Sequence, residues 1–381
     1  MKKFLAHKWH YLSIVVIFGL FIVTVQIRQE KLSYPHSITH EWITSHTLLT
    51  LDIWEQAGGP QAYGFKPVYT YDGKGNRRIG NLGGVMDEED GKLYYTSYPP
   101  FAFIFAYYAT QLLGGPDIAT IRALGLMIHL FCAILIYLII FKLRKSQKDT
   151  ISIAGLSAAA LYLFSTGTLW AHSILYFSDI LIQPLIMLAI YYSIRLFKVD
   201  YKIGWRFLLA FGAVIFFGVY TEWLALFFAF FIGLAFLIYY LIQKKKIFLR
   251  AFFVVGFSSA LAIGITVAQY ASINGWEDLV EVSSNKYKER SGNLENVEGM
   301  EIYNWENPKS LDLMEGFLNR NFTMVINMIG ICGFFLIPIL IWRKSRNNVS
   351  GLKFKLIIFA TLFLYVLIHH IIFSKFNEVH N

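Results

Sequence analysis

Seven apolar runs, near residues 11–27, 118–141, 151–194, 207–243, 251–270, 323–342 and 356–373, leave this chain few ways to fold. A membrane helix needs about 20 mostly apolar residues to cross about 30 Å of hydrocarbon, and every run approaches or exceeds that length. With 56% apolar and only 15% charged residues over 381 positions, so much hydrocarbon cannot be hidden in a soluble core, because a soluble domain carries about 25% charged residues. The expected fold class is all-α: a polytopic bundle of membrane helices forming a single domain over residues 1–381.

Two runs are too long for one crossing. The run 151–194 lies between Lys142, Arg144, Lys145 and Lys148 on one side and Arg195, Lys198, Lys202 and Arg206 on the other. Basic loops stay cytoplasmic, so this run is expected to be a hairpin of two helices. The run 207–243, closed by Lys244, Lys245, Lys246 and Arg250, repeats the pattern, with its bend expected near Tyr220-Thr221-Glu222-Trp223. About nine transmembrane helices follow, with a cytoplasmic N-terminus, an outer C-terminus and outer loops over about 28–116 and 271–322.

On that count about 20 of the 34 Lys and Arg fall inside, against 2 of the 25 Asp and Glu, Asp149 and Asp200. The expected location is the cell membrane, multi-pass, with the large loops outside. Lys2, Lys3 and Lys8 before the first run also suit a signal peptide, but no small-residue cleavage site follows, so an uncleaved first span is expected. The net charge of +9 is spread over short clusters between spans rather than one patch, which excludes a nucleic-acid partner. Cys132 and Cys332 each sit within an apolar run and read as buried thiols, not as a disulfide or metal framework.

The first outer loop carries most of the polar sequence. Residues 39–56 read as an amphipathic interfacial helix, with Trp42, Leu49 and Ile53 on one face and Glu41, Thr44 and Glu55 on the other, ended by Gly58-Gly59-Pro60. The stretch 71–92 is glycine-rich and polar. Its Asp72-Gly73-Lys74-Gly75 and Asp87-Glu88-Glu89-Asp90 hint at a calcium loop but lack the alternating ligands and distal glutamate, so a solvated loop is expected. Tyr98-Pro99-Pro100 then opens a second short interfacial helix over 101–113, broken by Gly114-Gly115-Pro116.

An outer loop that opens with an acidic residue on a membrane-lying helix, a Tyr-Pro-Pro entry to a second such helix, a Gly-Gly break and Arg122 just inside the next span resemble the GT-C superfamily of membrane glycosyltransferases. That superfamily includes protein O-mannosyltransferases and aminoarabinose transferases, and the likeness runs over about residues 10–245. It implies that Glu41 is the catalytic carboxylate, the general base that removes the proton from the acceptor hydroxyl, with His40 orienting the site. Family members commonly carry an acidic pair where this chain has His40-Glu41. They also have more spans, which points to a short variant or an incomplete chain, since Asn381 closely follows the last run.

Arg122, His172, Asp179 and Glu222 are expected at the outer ends of spans, where ionisable groups are costly unless they face a cavity or a partner. Each also has an ordinary reading: a snorkelling arginine, a satisfied His172–Asp179 pair seven residues apart on one helix face, and a solvated Glu222 on its bend. Their sharper reading is substrate binding, together with Tyr98, and Arg122 suits a lipid phosphate because its planar fork presents paired donors. Trp42, Trp54, Tyr94, Tyr95 and Tyr98 are expected to stack on sugar faces. No metal site is expected: His369, His370 and His380 make a poor cluster, because adjacent histidines point to different helix faces. No cofactor is expected either, although a divalent ion stays open.

The function expected is transfer of a sugar from a polyprenyl-phosphate donor to an acceptor on the outer face. The partners are then the polyprenyl-phosphate sugar lipid and the membrane. A transporter or lipid flippase would instead need ionisable groups or broken helices near the bilayer midplane and often an inverted repeat, and the sequence shows neither, its polar residues gathering at one surface. A surface polysaccharide polymerase or ligase would use loop arginines such as Arg77, Arg78 and Arg290.

Overall fold

The computed structural model describes residues 2–33, 41–70, 84–143, 152–198 and 203–291, with backbone alone for residues 2–10, 30–33, 41–42, 84, 166 and 286–291. The described chain is mostly helical. Five helices in it are long and apolar enough to cross a membrane: the apolar part of α1 (Lys2–Ser33), α4 (Ile118–Leu143), α7 (Ser178–Lys198), α9 (Trp223–Gln243) and α10 (Lys246–Asn274). A sixth span is formed if α5 (Ile153–Phe164) and α6 (Thr166–Ile174) are taken together across their 60° bend. The chain is thus a multi-pass helical membrane protein by length and composition. Large side chains such as Phe18, Phe230, Phe253 and Phe257 lie exposed on these helices, as a hydrocarbon solvent allows.

The expected runs 323–342 and 356–373 lie outside the described residues, as do His40, Arg77, Arg78, Cys332, His369, His370 and His380. The bend expected at 220–223 is present, with α8 (Trp205–Val219) ending just before it and α9 beginning at Trp223. At 15 residues, α8 is shorter than a full crossing. The hairpin expected over 151–194 has three pieces rather than two, because Ser165 adopts an extended conformation and splits its first arm into α5 and α6. Within the loop, the two expected interfacial helices are α2 (Glu41–Gln56) and α3 (Phe101–Gln111).

Two expectations for this loop are corrected. A short antiparallel hairpin, β1 (Gly84–Met86) with β2 (Leu93–Tyr95), departs from an all-helical fold, and Asp87-Glu88-Glu89-Asp90 forms its turn. Asp87 Oδ1 accepts the Glu89 N–H at 2.9 Å, and Gly91 takes the positive φ of 68° that closes the turn. In addition, α2 is not a helix with a polar outer face at Thr44: Thr44, His46, Thr47, Thr50, Leu51, Ile53 and Trp54 are all buried.

The chain separates into two compact units, residues 1–226 with 253–273, and residues 227–252 with 274–381. In the first, one apolar core joins α2 (Leu51, Ile53, Trp54), the hairpin (Leu93, Tyr94, Tyr95), α3 (Phe103) and the upper parts of α4 and α7 (Ile121, Leu124, Ile180, Leu181). A second cluster packs Ile17 of α1 against Ala133 and Tyr137 of α4 and Ala159 and Leu163 of α5. Gly155 makes that packing close: a Cβ there would stand 2.9 Å from the Tyr137 ring. In the second unit, Phe248 packs against Phe236 and Tyr239, and α11 (Trp276–Ser291) begins after Gly275 turns the chain with φ of 98°.

Candidate functional site

Asp179 and Glu222 are brought together by a loop that neither belongs to. The connector Leu175–Phe177 between α6 and α7 is stitched to α2: Thr44 Oγ1 donates to the Ile174 carbonyl at 3.0 Å and accepts the Tyr176 N–H at 3.1 Å, and Thr47 Oγ1 donates to the Tyr176 carbonyl at 3.3 Å. Tyr176 is itself buried and its hydroxyl donates to the Ala102 carbonyl of α3 at 3.0 Å. This places Asp179 in the first turn of α7.

The turn carrying Glu222 is held by the segment that leads into α3. Trp223 Nε1 donates to the Ser97 carbonyl at 2.9 Å, and the Phe101 N–H donates to the Tyr220 carbonyl at 3.1 Å. Tyr220 and Tyr270 extend the ties to α10, through Gln269 Oε1 at 2.7 Å and the Tyr98 carbonyl respectively. Residues 97–101 therefore brace both sides, and the Tyr98 ring meets Phe177 edge-on at 5.5 Å.

Between these braces the carboxyl groups of Asp179 and Glu222 share a hydrogen bond. Their surroundings differ. Glu222 is 6% exposed and its Oε2 is buried with no hydrogen-bond partner. Asp179 is exposed. Burial first, and then the adjacent Asp179 carboxylate, raise the Glu222 pKa well above the ordinary 4.5. Nearby, the Tyr69 hydroxyl is buried without a partner, and burial raises its pKa well above 10, with Tyr95 and Tyr270 alongside.

A second polar cluster lies deeper. Arg28 of α1 is 3% exposed; it donates from Nε to the Thr24 carbonyl and from Nη2 to Thr24 Oγ1, both at 3.0 Å, and from Nη1 to His129 Nδ1 at 3.3 Å. His129 of α4 stacks on His172 of α6, with ring centres 4.6 Å apart and 10° between planes. The Tyr162 hydroxyl donates to Gln183 Oε1 at 2.8 Å, so its oxygen accepts from His172 Nε2 at 3.0 Å. An arginine can only donate, so His129 Nδ1 is an acceptor and this ring is neutral. His129 is the twelfth of 26 residues in α4, about 17 Å along a helix of about 39 Å.

The structure therefore corrects the reading that ionisable groups and broken helices are absent within the spans: His129 lies midway along α4, Arg28 reaches it from the end of the apolar part of α1, and α5 breaks from α6 nearby. It also separates His172 from Asp179. The connector at 175–177 ends α6 and starts α7, so the two do not share a helix face. Gln183 is their link, donating from Nε2 to the Asp179 carbonyl at 3.2 Å while its Oε1 serves Tyr162. Arg122 is buried near the start of α4, where Asp117 and Thr120 cap the helix reciprocally at 2.7 and 3.1 Å.

Of the aromatics expected to stack on sugars, Trp54, Tyr94 and Tyr95 are core residues instead, at most 8% exposed, with Trp54 Nε1 donating to the Lys66 carbonyl at 3.3 Å. Tyr98 stays half-buried against Phe177, in the connector that leads to Asp179. The sequence pointed to Asp179, Glu222, Tyr98 and His172 but not to Arg28, His129, Tyr162 or Gln183. Lone polar residues within apolar runs were the available signal. A surface groove of about 670 Å³ between α2 and the start of α4, lined by Leu48, Asp52, Pro116 and Asp117 among others, includes neither carboxyl.

Glu41 opens α2, and its side chain, like all of His40, lies outside the described residues. Among the described residues no group of three or more His, Cys, Asp and Glu is placed to hold a metal ion. No family model matches the chain, and no curated protein matches it.

Proposed function

We propose that the chain is a glycosyltransferase of the GT-C type, moving a sugar from a polyprenyl-phosphate donor to an acceptor hydroxyl at the outer membrane face. About nine spans with a cytoplasmic N-terminus fit this reading, since they put both loop helices on the outer side. The observation that carries it is the Asp179–Glu222 pair: an exposed carboxyl and a buried one, hydrogen-bonded at the starts of α7 and α9, with the first loop tied to both segments. Sugar transfer from a lipid phosphate needs a carboxylate to remove the acceptor proton where the phosphate meets the membrane. Tyr98 offers a half-buried ring for a sugar face, and Arg122 is a candidate for the phosphate. Incubating the purified protein with polyprenyl-phosphate sugars tests this, and free polyprenyl phosphate is the expected product.

A transporter or lipid flippase is the second reading, and one observation favours it. The Arg28–His129–His172 cluster beside the broken α5–α6 helix has the polar, discontinuous character of a site at mid-membrane. On that reading, Arg28→Leu abolishes movement of an intact lipid-linked substrate across vesicles.

A further inference from the structure

The transferase reading leaves open which carboxyl acts, and the inference that follows rests on that reading. We propose that Asp179 is the catalytic base and that Glu222 is a positioning residue holding one proton between the two carboxyls. The sequence resemblance assigns the base to Glu41 instead, so the two assignments compete directly.

Two carboxylates in hydrogen-bond contact do not both ionise without a large Coulomb cost. The surroundings decide which one keeps the proton. Glu222 is buried and its Oε2 has no donor, so a charge there would be buried and unpaired. Asp179 is reachable and sits in the first turn of α7, where the free backbone N–H groups favour a negative charge. Glu222 therefore donates its O–H to the Asp179 carboxylate and aims it.

The elements packed against α7 bring Arg122 and His129 from α4, Arg206 from α8, and Tyr107 and Tyr108 from α3, and Tyr98 lies on the loop. After burial, the influence that acts on each carboxyl is the other carboxyl.

The step balances as follows. The acceptor O–H gives its proton to Asp179, its oxygen forms a bond to the anomeric carbon, and the bond from that carbon to the lipid phosphate oxygen breaks. The phosphate leaves with the electron pair, and Asp179 later passes the proton to water.

Three measurements on the full-length protein in detergent test the assignment, with elution as a single sharp peak confirming that each variant folds. Asp179→Asn lowers polyprenyl-phosphate release about 100- to 10,000-fold, the usual worth of a general base, whereas Glu222→Gln keeps a donor toward Asp179 and lowers it by about tenfold or less. Glu222→Gln also removes the alkaline fall in rate that loss of the shared proton causes in the wild type. A hydrophobic carbodiimide, which attacks protonated carboxyls and needs no sugar donor, labels Glu222 at neutral pH. Normal release by Asp179→Asn, a larger loss in Glu222→Gln than in Asp179→Asn, or an unlabelled Glu222 overturns the assignment. A labelled Glu222 together with no release from any lipid-linked sugar overturns the transferase reading and the base role with it, and supports the shared proton alone.

Discussion

The carboxyl of Glu222, at the tip of the α8–α9 turn, hydrogen-bonds to that of Asp179, in the first turn of α7, with one group buried and the other open. The ties that bring them together come from Thr44, Thr47, Ser97 and Phe101, all in the first loop. The loop thus builds the site by holding the ends of membrane helices.

Stability should carry the mark of the buried proton. Because the Glu222 pKa is raised above 4.5, the native state keeps a proton that the unfolded chain releases as pH rises. Such a group costs nothing at about pH 4 or below, and its cost grows as pH climbs. Glu222→Gln removes that cost, so its thermal midpoint should exceed that of the wild type at about pH 8 and match it at about pH 4. A pH-independent difference would contradict the raised value.

The deep cluster should depend on Arg28. Replacing it with Met of similar length leaves His129 Nδ1 without its donor, at a cost of about 1 to 3 kcal/mol for a buried unsatisfied group. The Arg28→Met, His129→Phe double variant removes both partners and should be less destabilised than the sum of the singles. Strict additivity in unfolding measurements would mean that the two side chains are not coupled.

Close packing of α4 on α5 gives a steric prediction. Gly155→Ala places a Cβ 2.9 Å from the buried Tyr137 ring and 3.1 Å from Ser152 Oγ, so neighbouring side chains must shift. Overpacking of this kind costs about 1 to 3 kcal/mol, more than the roughly 1 kcal/mol that alanine gains over glycine in a helix. The variant should melt lower than the wild type, and Tyr137→Leu should restore part of the loss.

Some of this arrangement was legible in the sequence. Length and hydropathy located the five spans among the described residues, the bend at 220–223, and α2 and α3. Asp179 and Glu222 stood out because carboxyls are costly at span ends. Their pairing was hidden, because it depends on Thr44 and Thr47 reaching the 174–176 connector, more than a hundred residues away. The break at 175–177 likewise defeated a helical spacing argument that put His172 and Asp179 on one face. Trp54, Tyr94 and Tyr95 looked like sugar platforms, but a loop with so little apolar sequence needs its aromatics for its own core. Arg28 read as the start of a loop, whereas a contact with His129 inside another span draws it into the membrane.

Sidedness can be read directly in cells. Single cysteines replacing Asp87 and Glu298 should react with an impermeant thiol reagent on intact cells, and one replacing Lys245 should not. Labelling at Lys245→Cys alone would reverse the assignment.

Vesicles containing the protein and a polyprenyl-phosphate sugar labelled in the sugar test the central claim most directly, because they separate transfer from transport. The account predicts that, with an acceptor alcohol outside, the label leaves the lipid for the acceptor and an equal amount of free polyprenyl phosphate appears, with both lost in Asp179→Asn. Label that stays on intact lipid and moves to the opposite leaflet would contradict it, and would make the Arg28–His129–His172 cluster the working site.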